Sequence, residues 1–283
     1  MTDEFIQPLL AWYDENKRIL PWRDKHNAYY TWVSEIMLQQ TRVAAVLGYY
    51  ARFLAVFPTV EALAETDEEL LMKLWEGLGY YSRARNLQKA ARIVAEQGGR
   101  FPDTYQDLLA LPGVGDYTAS AIASAAFGRR EAAVDGNVLR VVMRLTDCRD
   151  DIADPKVKKA VRAQIQAVMP EAEADIRVFN QATMELGATV CAPNGPPRCL
   201  ECPAMAFCKG RLRGTAEDLP VKGAKSPAGW RRRRCSCWCG TERSPCGSGL
   251  KPACWRDFGS FPMWRALWMK QPPVRRWRPW ACR

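Results

Sequence analysis

The chain has 283 residues, 48% of them hydrophobic, and a formal net charge of +10. That size and apolar content allow a substantial core in one large or two small domains. No run of eighteen apolar residues occurs, which excludes a membrane-spanning helix, and the acidic N-terminus, Met-Thr-Asp-Glu-Phe-Ile-Gln, lacks a signal-peptide pattern, so a cytoplasmic protein is expected. The positive charge is concentrated in residues 226–283, which hold 13 Lys and Arg against 2 Asp and Glu, leaving 28 against 29 in residues 1–225. A nearly neutral body must confine any DNA-binding face to a local patch. Arg42, Arg52, Arg83, Arg85, Lys89, Arg140 and Arg144 are candidates for it, against the commoner fate of such residues as solvated helix charges.

In chain order, Phe5, Leu9, Leu10 and Trp12 form a helical stripe that ends before Leu20-Pro21-Trp22-Arg23. Tyr30–Val56 reads as one long helical stretch, apolar on one side. Val60–Leu74 follows, with Thr66 and Asp67 as caps where it divides. Ser82–Gln97 is helical and stops at Gly98-Gly99. Thr104–Ala110 leads into Leu111-Pro112-Gly113-Val114-Gly115, and Thr118–Phe127 is an Ala-rich helix. Val138–Leu145, Lys156–Val168 and Asp175–Leu186 complete the set. No stretch alternates apolar and polar residues over strand length, so the body is expected to be all-α.

Three features carry chemistry. Pro112 has no N–H to donate, Gly113 and Gly115 accept unusual backbone angles, and the helix that follows presents free amides and a positive dipole end, an arrangement suited to a phosphate. An ordinary loop between two helices has the same glycines. Ala133-Val-Asp135-Gly136-Asn137 places one carboxylate in a polar setting, where Asp135 can equally cap the next helix. Cys191, Cys199, Cys202 and Cys208 lie within 18 residues of a proline-rich loop. Zinc ribbons usually use two separated Cys-x2-Cys pairs, and only one such pair is present, so the spacing favours a [4Fe–4S] cluster over zinc or four unrelated thiols. His26, the one histidine, has no partner motif and reads as a surface residue.

The glycine turn, the Asp135 segment and the cysteines, in that order, resemble the helix-hairpin-helix DNA glycosylases that carry an iron–sulfur cluster. Trp32-Val-Ser-Glu-Ile-Met-Leu-Gln-Gln-Thr41 resembles the catalytic-acid helix of the adenine-specific mismatch glycosylases of the MutY type, and Gly77-Leu-Gly-Tyr-Tyr-Ser-Arg-Ala-Arg-Asn-Leu87 resembles their DNA-wedging loop. The resemblance covers residues 1 to about 225. It implies a two-lobed helical body over 1–213, with a six-helix lobe at 28–130 and an iron–sulfur lobe from 1–27 plus 131–213, followed by a linker at 214–225. It implies a monomer that acts on double-stranded DNA and removes adenine mispaired with 8-oxoguanine or guanine. Glu35 would protonate adenine, Asp135 would stabilise the sugar cation, and Tyr117 and Asn137 would support the site. Gln40 and Tyr80 would fill the gap left by the flipped base, Pro112 to Gly115 would hold the DNA backbone, and the four cysteines would hold the cluster. Glu35 sits among Trp32, Val33, Ile36, Met37 and Leu38, which argues against the usual solvated glutamate.

Tyr117 occupies the position where bifunctional relatives of the endonuclease III type carry a Schiff-base lysine. A phenol cannot form an imine, so base removal without efficient strand scission is expected. The alternatives are a bifunctional glycosylase/lyase and a non-catalytic DNA-binding module. One departure is visible: seven residues separate Cys191 from Cys199 where the family usually has six. The tail, 226–283, holds seven Trp, six Cys and only three branched aliphatics, Leu250, Leu267 and Val274. Such a composition seldom builds a core. It does not resemble the Nudix-like β domain that usually follows this body, although a shifted reading frame through Cys254–Trp264 permits Leu-Ala-Gly-Leu-Trp-Glu-Phe-Pro. A frameshift near Lys225 is favoured over a natural basic tail or a second metal module on Cys235, Cys237, Cys239 and Cys246.

Overall fold

The computed structural model describes residues 3–23 and 26–223, and over these it holds twelve α-helices and no strand. The expected tail, and the end of the expected linker, lie outside the described residues. Short polar residues start several helices by accepting from backbone amides of the first turn: Asn27 for α2 (Ala28–Leu38), Thr59 for α4 (Val60–Glu65), Asp67 for α5 (Glu68–Trp75) and Thr104 for α7 (Tyr105–Leu109). Each satisfies a donor that has no partner inside its helix.

The helix expected over Tyr30–Val56 is instead two, α2 and α3 (Val43–Val56), separated by Gln39–Arg42. Four polar residues, Gln39-Gln40-Thr41-Arg42, interrupt the apolar stripe there, between Leu38 and Val43. A tertiary contact closes the end of α2. The buried guanidinium of Arg83, from α6 (Ser82–Glu96), donates to the last carbonyls of α2, and Gln40 turns to φ 57°.

Two cores form. The first gathers α2 to α7 and the helix over Asp116–Phe127 around Trp32, Phe53, Leu63, Leu71, Trp75 and Leu87, all nearly or wholly inaccessible. The second joins α1 (Ile6–Asn16) to α9 (Gly136–Thr146), α10 (Pro155–Val168) and α11 (Glu173–Thr189) around Phe5, Leu9, Tyr13, Val142, Phe179 and Leu186. Leu20 and Trp22, which the sequence grouped with the second lobe at 1–27, pack into the first core instead. The Trp22 ring meets Tyr50 edge-on at 5.1 Å.

Between the cores runs α8 (Asp116–Phe127), packed on α2 to one side and α11 to the other. Its buried residues include Ala119, Ser120, Ala123 and Ser124, whose small side chains let neighbours approach from both sides. Gly187 permits an equally close approach of α11 to α9, since a Cβ there would lie 2.7 Å from that of Asn137. α8 begins at the glycine turn and places Tyr117 in its first turn, at the seam between the lobes.

Candidate active site

A cleft of about 380 Å³ opens along that seam, and Glu35, Tyr117, Asp135 and Asn137 all line it. Glu35 comes from α2, whose Trp32, Val33, Ile36 and Met37 are buried in the first core. The residue as a whole is half-buried. Burial raises its pKa from 4.5 to about 7, the hydrogen bond with Tyr117 opposes the rise, and the negative charge of Asp135 adds to it. The Tyr117 phenol, raised well above its ordinary value by burial and then by Glu35 and Asp135, stays protonated. Its hydroxyl also lies 3.4 Å from Met184 Sδ.

Asp135 is both a cap and a cleft residue. Its Oδ1 accepts from the Val138 amide at 2.8 Å, closing the start of α9, while Oδ2 accepts from Asn137 Nδ2 at 2.7 Å. The Asn137 carbonyl oxygen in turn accepts from Arg140 Nη2 at 2.9 Å, and Arg140 also donates to the backbone of Gly187 and Cys191. The carboxylate is thus held by its own helix start and by a chain of hydrogen bonds reaching toward the cysteine loop.

The glycine turn is shaped as its sequence suggests. Gly113 has φ 79°, and a Cβ there would meet Asn86 Cβ at 2.8 Å, so a larger residue is refused on two grounds. Val114 anchors the turn in the first core. Pro112 is half-buried, and Gly113 and Gly115 are exposed. No side chain caps α8, and the Asp116 carboxylate in its first turn is engaged by Arg162 and by Tyr105 Oη. Within the turn Pro112 has no N–H and the Val114 amide donates to Leu111 O at 3.1 Å, so the Gly113 and Gly115 amides, on exposed residues beside the engaged Asp116 carboxylate, are those left for an anion.

Gln40 and Tyr80 are both exposed and both left-handed, at φ 57° and 48°, although neither is glycine. Of the candidate basic patch, Arg83, Arg140 and Arg144 are buried and spent on carbonyl and sulfur acceptors. That part of the expectation is corrected: their positions on amphipathic helices do not distinguish a cation that faces solvent from one that closes a helix end. His26 is exposed.

Cys191, Cys199, Cys202 and Cys208 line one pocket together with aliphatic side chains and Arg144, Arg198 and Arg211, and no carboxylate or imidazole joins them there. Among the described residues no three His, Cys, Asp or Glu are placed to hold one metal ion. Four thiols without a carboxylate or imidazole are a donor set that fits an iron–sulfur cluster. Donors already surround the sulfurs: Arg144 Nη1 lies 3.3 Å from Cys191 Sγ and the Arg211 amide 3.5 Å from Cys208 Sγ. Burial pushes the Cys202 thiol up to about 12.

Sequence reading missed one cluster in the cleft. Glu185 of α11 has no exposed surface and accepts from Arg18 Nε at 2.6 Å, Arg18 Nη2 at 2.8 Å and Arg23 Nη2 at 2.6 Å. Burial works against its charge, but the two arginines outweigh that and hold its carboxyl below the usual range. The available signal was a lone glutamate amid Ala182, Thr183 and Leu186 on the inward face of α11.

A family model described as HhH-GPD superfamily base excision DNA repair protein matches residues 33–167. The chain is 46% identical over 232 residues to an adenine DNA glycosylase of Homo sapiens, covering 78% of this chain and 42% of that protein. It is 44% identical over 255 residues to that of Mus musculus, covering 85% and 48%. A third, from Buchnera aphidicola subsp. Baizongia pistaciae, is 39% identical over 223 residues, with 78% and 62% covered. The chain spans less than half the length of the two mammalian relatives. Its fold is similar to that of a thermostable thymine-DNA glycosylase, with TM-score 0.64 and 28% identity over 74% of this chain and 96% of that one. It is also similar in fold to endonuclease III in a non-covalent DNA complex, with TM-score 0.61 and 24% identity over 76% and 98%.

Proposed function

We propose, on the premise that the chain belongs through residues 33–167 to the HhH-GPD superfamily of base excision DNA repair proteins, that it is a monofunctional, monomeric DNA glycosylase that removes adenine mispaired with 8-oxoguanine or guanine. The observation that carries this reading is the pairing of Glu35 and Asp135 across one cleft, with a phenol, Tyr117, and no lysine at the head of α8.

Adenine inside a duplex is out of reach, so the nucleotide must be turned into the cleft. The Gly113 and Gly115 amides of the turn hold the backbone, and Gln40 and Tyr80 occupy the vacated space. Glu35, carrying a proton near neutral pH, donates it to a ring nitrogen of adenine. The N-glycosidic bond breaks with its electrons leaving on the base, and the sugar becomes a cation. Two carboxyl groups in different protonation states divide such work in sugar hydrolysis generally. The Asp135 carboxylate, oriented by Val138 and Asn137, stands beside the cation. Water then adds at C1′ and a proton returns to Glu35. Tyr117 keeps Glu35 oriented through its hydrogen bond and contributes no amine, so the product is an intact abasic strand.

The test is single-turnover incubation with duplexes carrying adenine opposite guanine or 8-oxoguanine. Free adenine and an abasic strand that breaks only on alkali treatment are expected. Strand breakage without alkali, together with a borohydride-trapped adduct, would identify the bifunctional alternative. Binding without adenine release would identify the non-catalytic one.

The four cysteines would hold a [4Fe–4S] cluster, which closes the loop at the end of the helical body as a structural element. About four irons per chain and broad visible absorbance are expected; zinc in place of iron would overturn the assignment. Cys202→Ser, which removes one thiol of the Cys-x2-Cys pair, should remove the iron and unfold the 190–213 segment.

A further inference from the structure

Arg83 is 9% exposed, and all six of its hydrogen-bond acceptors are uncharged. Its Nη1 donates to the carbonyls of Ile36, Met37 and Gln39 at 2.9, 3.0 and 2.6 Å. Its Nη2 donates to the carbonyls of Leu78 and Gly79 at 3.1 and 3.2 Å and to Thr41 Oγ1 at 3.4 Å. One terminal nitrogen thus closes the end of α2 and the turn after it, and the other chiefly holds the 78–79 loop. The guanidinium carbon also lies 5.5 Å from the ring centres of both Trp75 and Tyr80, and Trp75 Nε1 donates to Gly79 O at 3.2 Å.

The two segments that Arg83 joins carry Gln40 and Tyr80, two of the three non-glycine residues with positive φ among those described. Backbone of that kind is costly for a residue with a side chain and persists only where its surroundings impose it. A buried cation without a carboxylate is also costly, and burial lowers the pKa of this one. Both costs converge on one point, where a planar fork of donors spans two loops. Lysine, with its donors on a single atom, cannot make that span.

We propose that Arg83 is a positioning residue for base extrusion, locking the Gln39–Thr41 turn and the Leu78–Tyr80 loop into one wedge so that Gln40 and Tyr80 enter the duplex together, in register with Glu35 on α2. The proposal rests on the glycosylase reading. Because the wedge and the acid share one anchor, extrusion delivers the base to a helix whose end is already fixed.

The test compares wild type with Arg83→Lys on a duplex in which 2-aminopurine next to the target adenine reports unstacking. Single-turnover adenine release is followed across pH, with folded fraction measured by melting. In Arg83→Lys, the extrusion signal at saturating protein and the release rate are expected to fall together by about tenfold or more, since small misplacements of this kind cost up to about 10²-fold. The pH midpoint of release stays at its wild-type value, which loss of folded protein alone would also leave unmoved but without lowering the extrusion signal per folded molecule. Extrusion and release that both match wild type overturn the proposal, as does slowed release with extrusion intact. Should Arg83→Lys fail to fold, Thr41→Val, which removes one acceptor of the fork, must weaken the extrusion signal, and an unchanged signal overturns the proposal. A wild-type protein that neither extrudes nor releases adenine fails the functional reading itself, whereas a competent wild type with an indifferent Arg83→Lys fails only this inference.

Discussion

Glu35→Gln is expected to lower the single-turnover rate of adenine release by about 10²–10⁴-fold, the usual contribution of a positioned general acid, while leaving affinity for mismatched duplex DNA unchanged. Glutamine keeps the size and polarity of the side chain but has no proton to give. The wild-type rate should depend on that proton. With a pKa of about 7, Glu35 is protonated below neutrality and loses the proton above it, so the limb governed by this group falls as pH rises through about 7. Glu35→Gln should lose that limb. Wild-type stability falls in the same direction. The folded-state pKa is raised above the ordinary 4.5, so the stability of the protonated form is fully present below about 4.5 and is lost as the pH rises to about 7. The variant should therefore melt at the same temperature as wild type at low pH and at a higher one above pH 7, the gap opening between about 4.5 and 7. Rapid release by Glu35→Gln, or a melting difference of the opposite sign, would remove Glu35 from the acid role.

Much of this site is legible in the amino-acid sequence because its signals are local. Glu35 stands out as a glutamate on an otherwise apolar helix, and Asp135 as a cap before a helix with one strongly apolar face; both land in the cleft. The turn at 112–115 is legible because Gly113 needs a conformation other residues refuse. What escapes the sequence is set by long-range pairing. The end of α2 is closed by a guanidinium more than forty residues away, and no local pattern names that partner. Arg140 and Arg144 look like surface cations on an amphipathic helix, and only the folded position of the 187–192 and 219 carbonyls shows where their charge goes. Glu185 and its two arginines are separated by more than 160 residues, and no spacing rule connects them. Trp22 packs into the first core, edge-on to Tyr50, a pairing no composition supplies.

Asp135 allows its two roles to be separated experimentally, and that is the second large effect expected. Asp135→Asn retains an oxygen that can accept from the Val138 amide, so α9 should start as before, at the cost of the one hydrogen bond that Oδ2 accepts from Asn137. It removes the negative charge beside the developing sugar cation, and electrostatic groups of this kind are worth about 10²–10³-fold in rate. Asp135→Ala removes both charge and cap, and should add about 1 kcal/mol of destabilisation to a similar loss of rate. If the carboxylate acted only as a cap, Asp135→Asn would be close to wild type in both respects, and Asp135→Ala would lose activity only as far as it unfolds. Asn137→Ala tests the same geometry from outside the reacting atoms. It leaves the charge but frees Oδ2 from its 2.7 Å partner and takes away the acceptor of Arg140 Nη2, so a smaller rate loss is expected, with DNA binding unaffected. A carboxylate that stabilises a cation has to be charged, close and held still. The charge and the orientation come from different residues here, and the ordering Asp135→Asn, then Asn137→Ala, in size of defect is what that division requires.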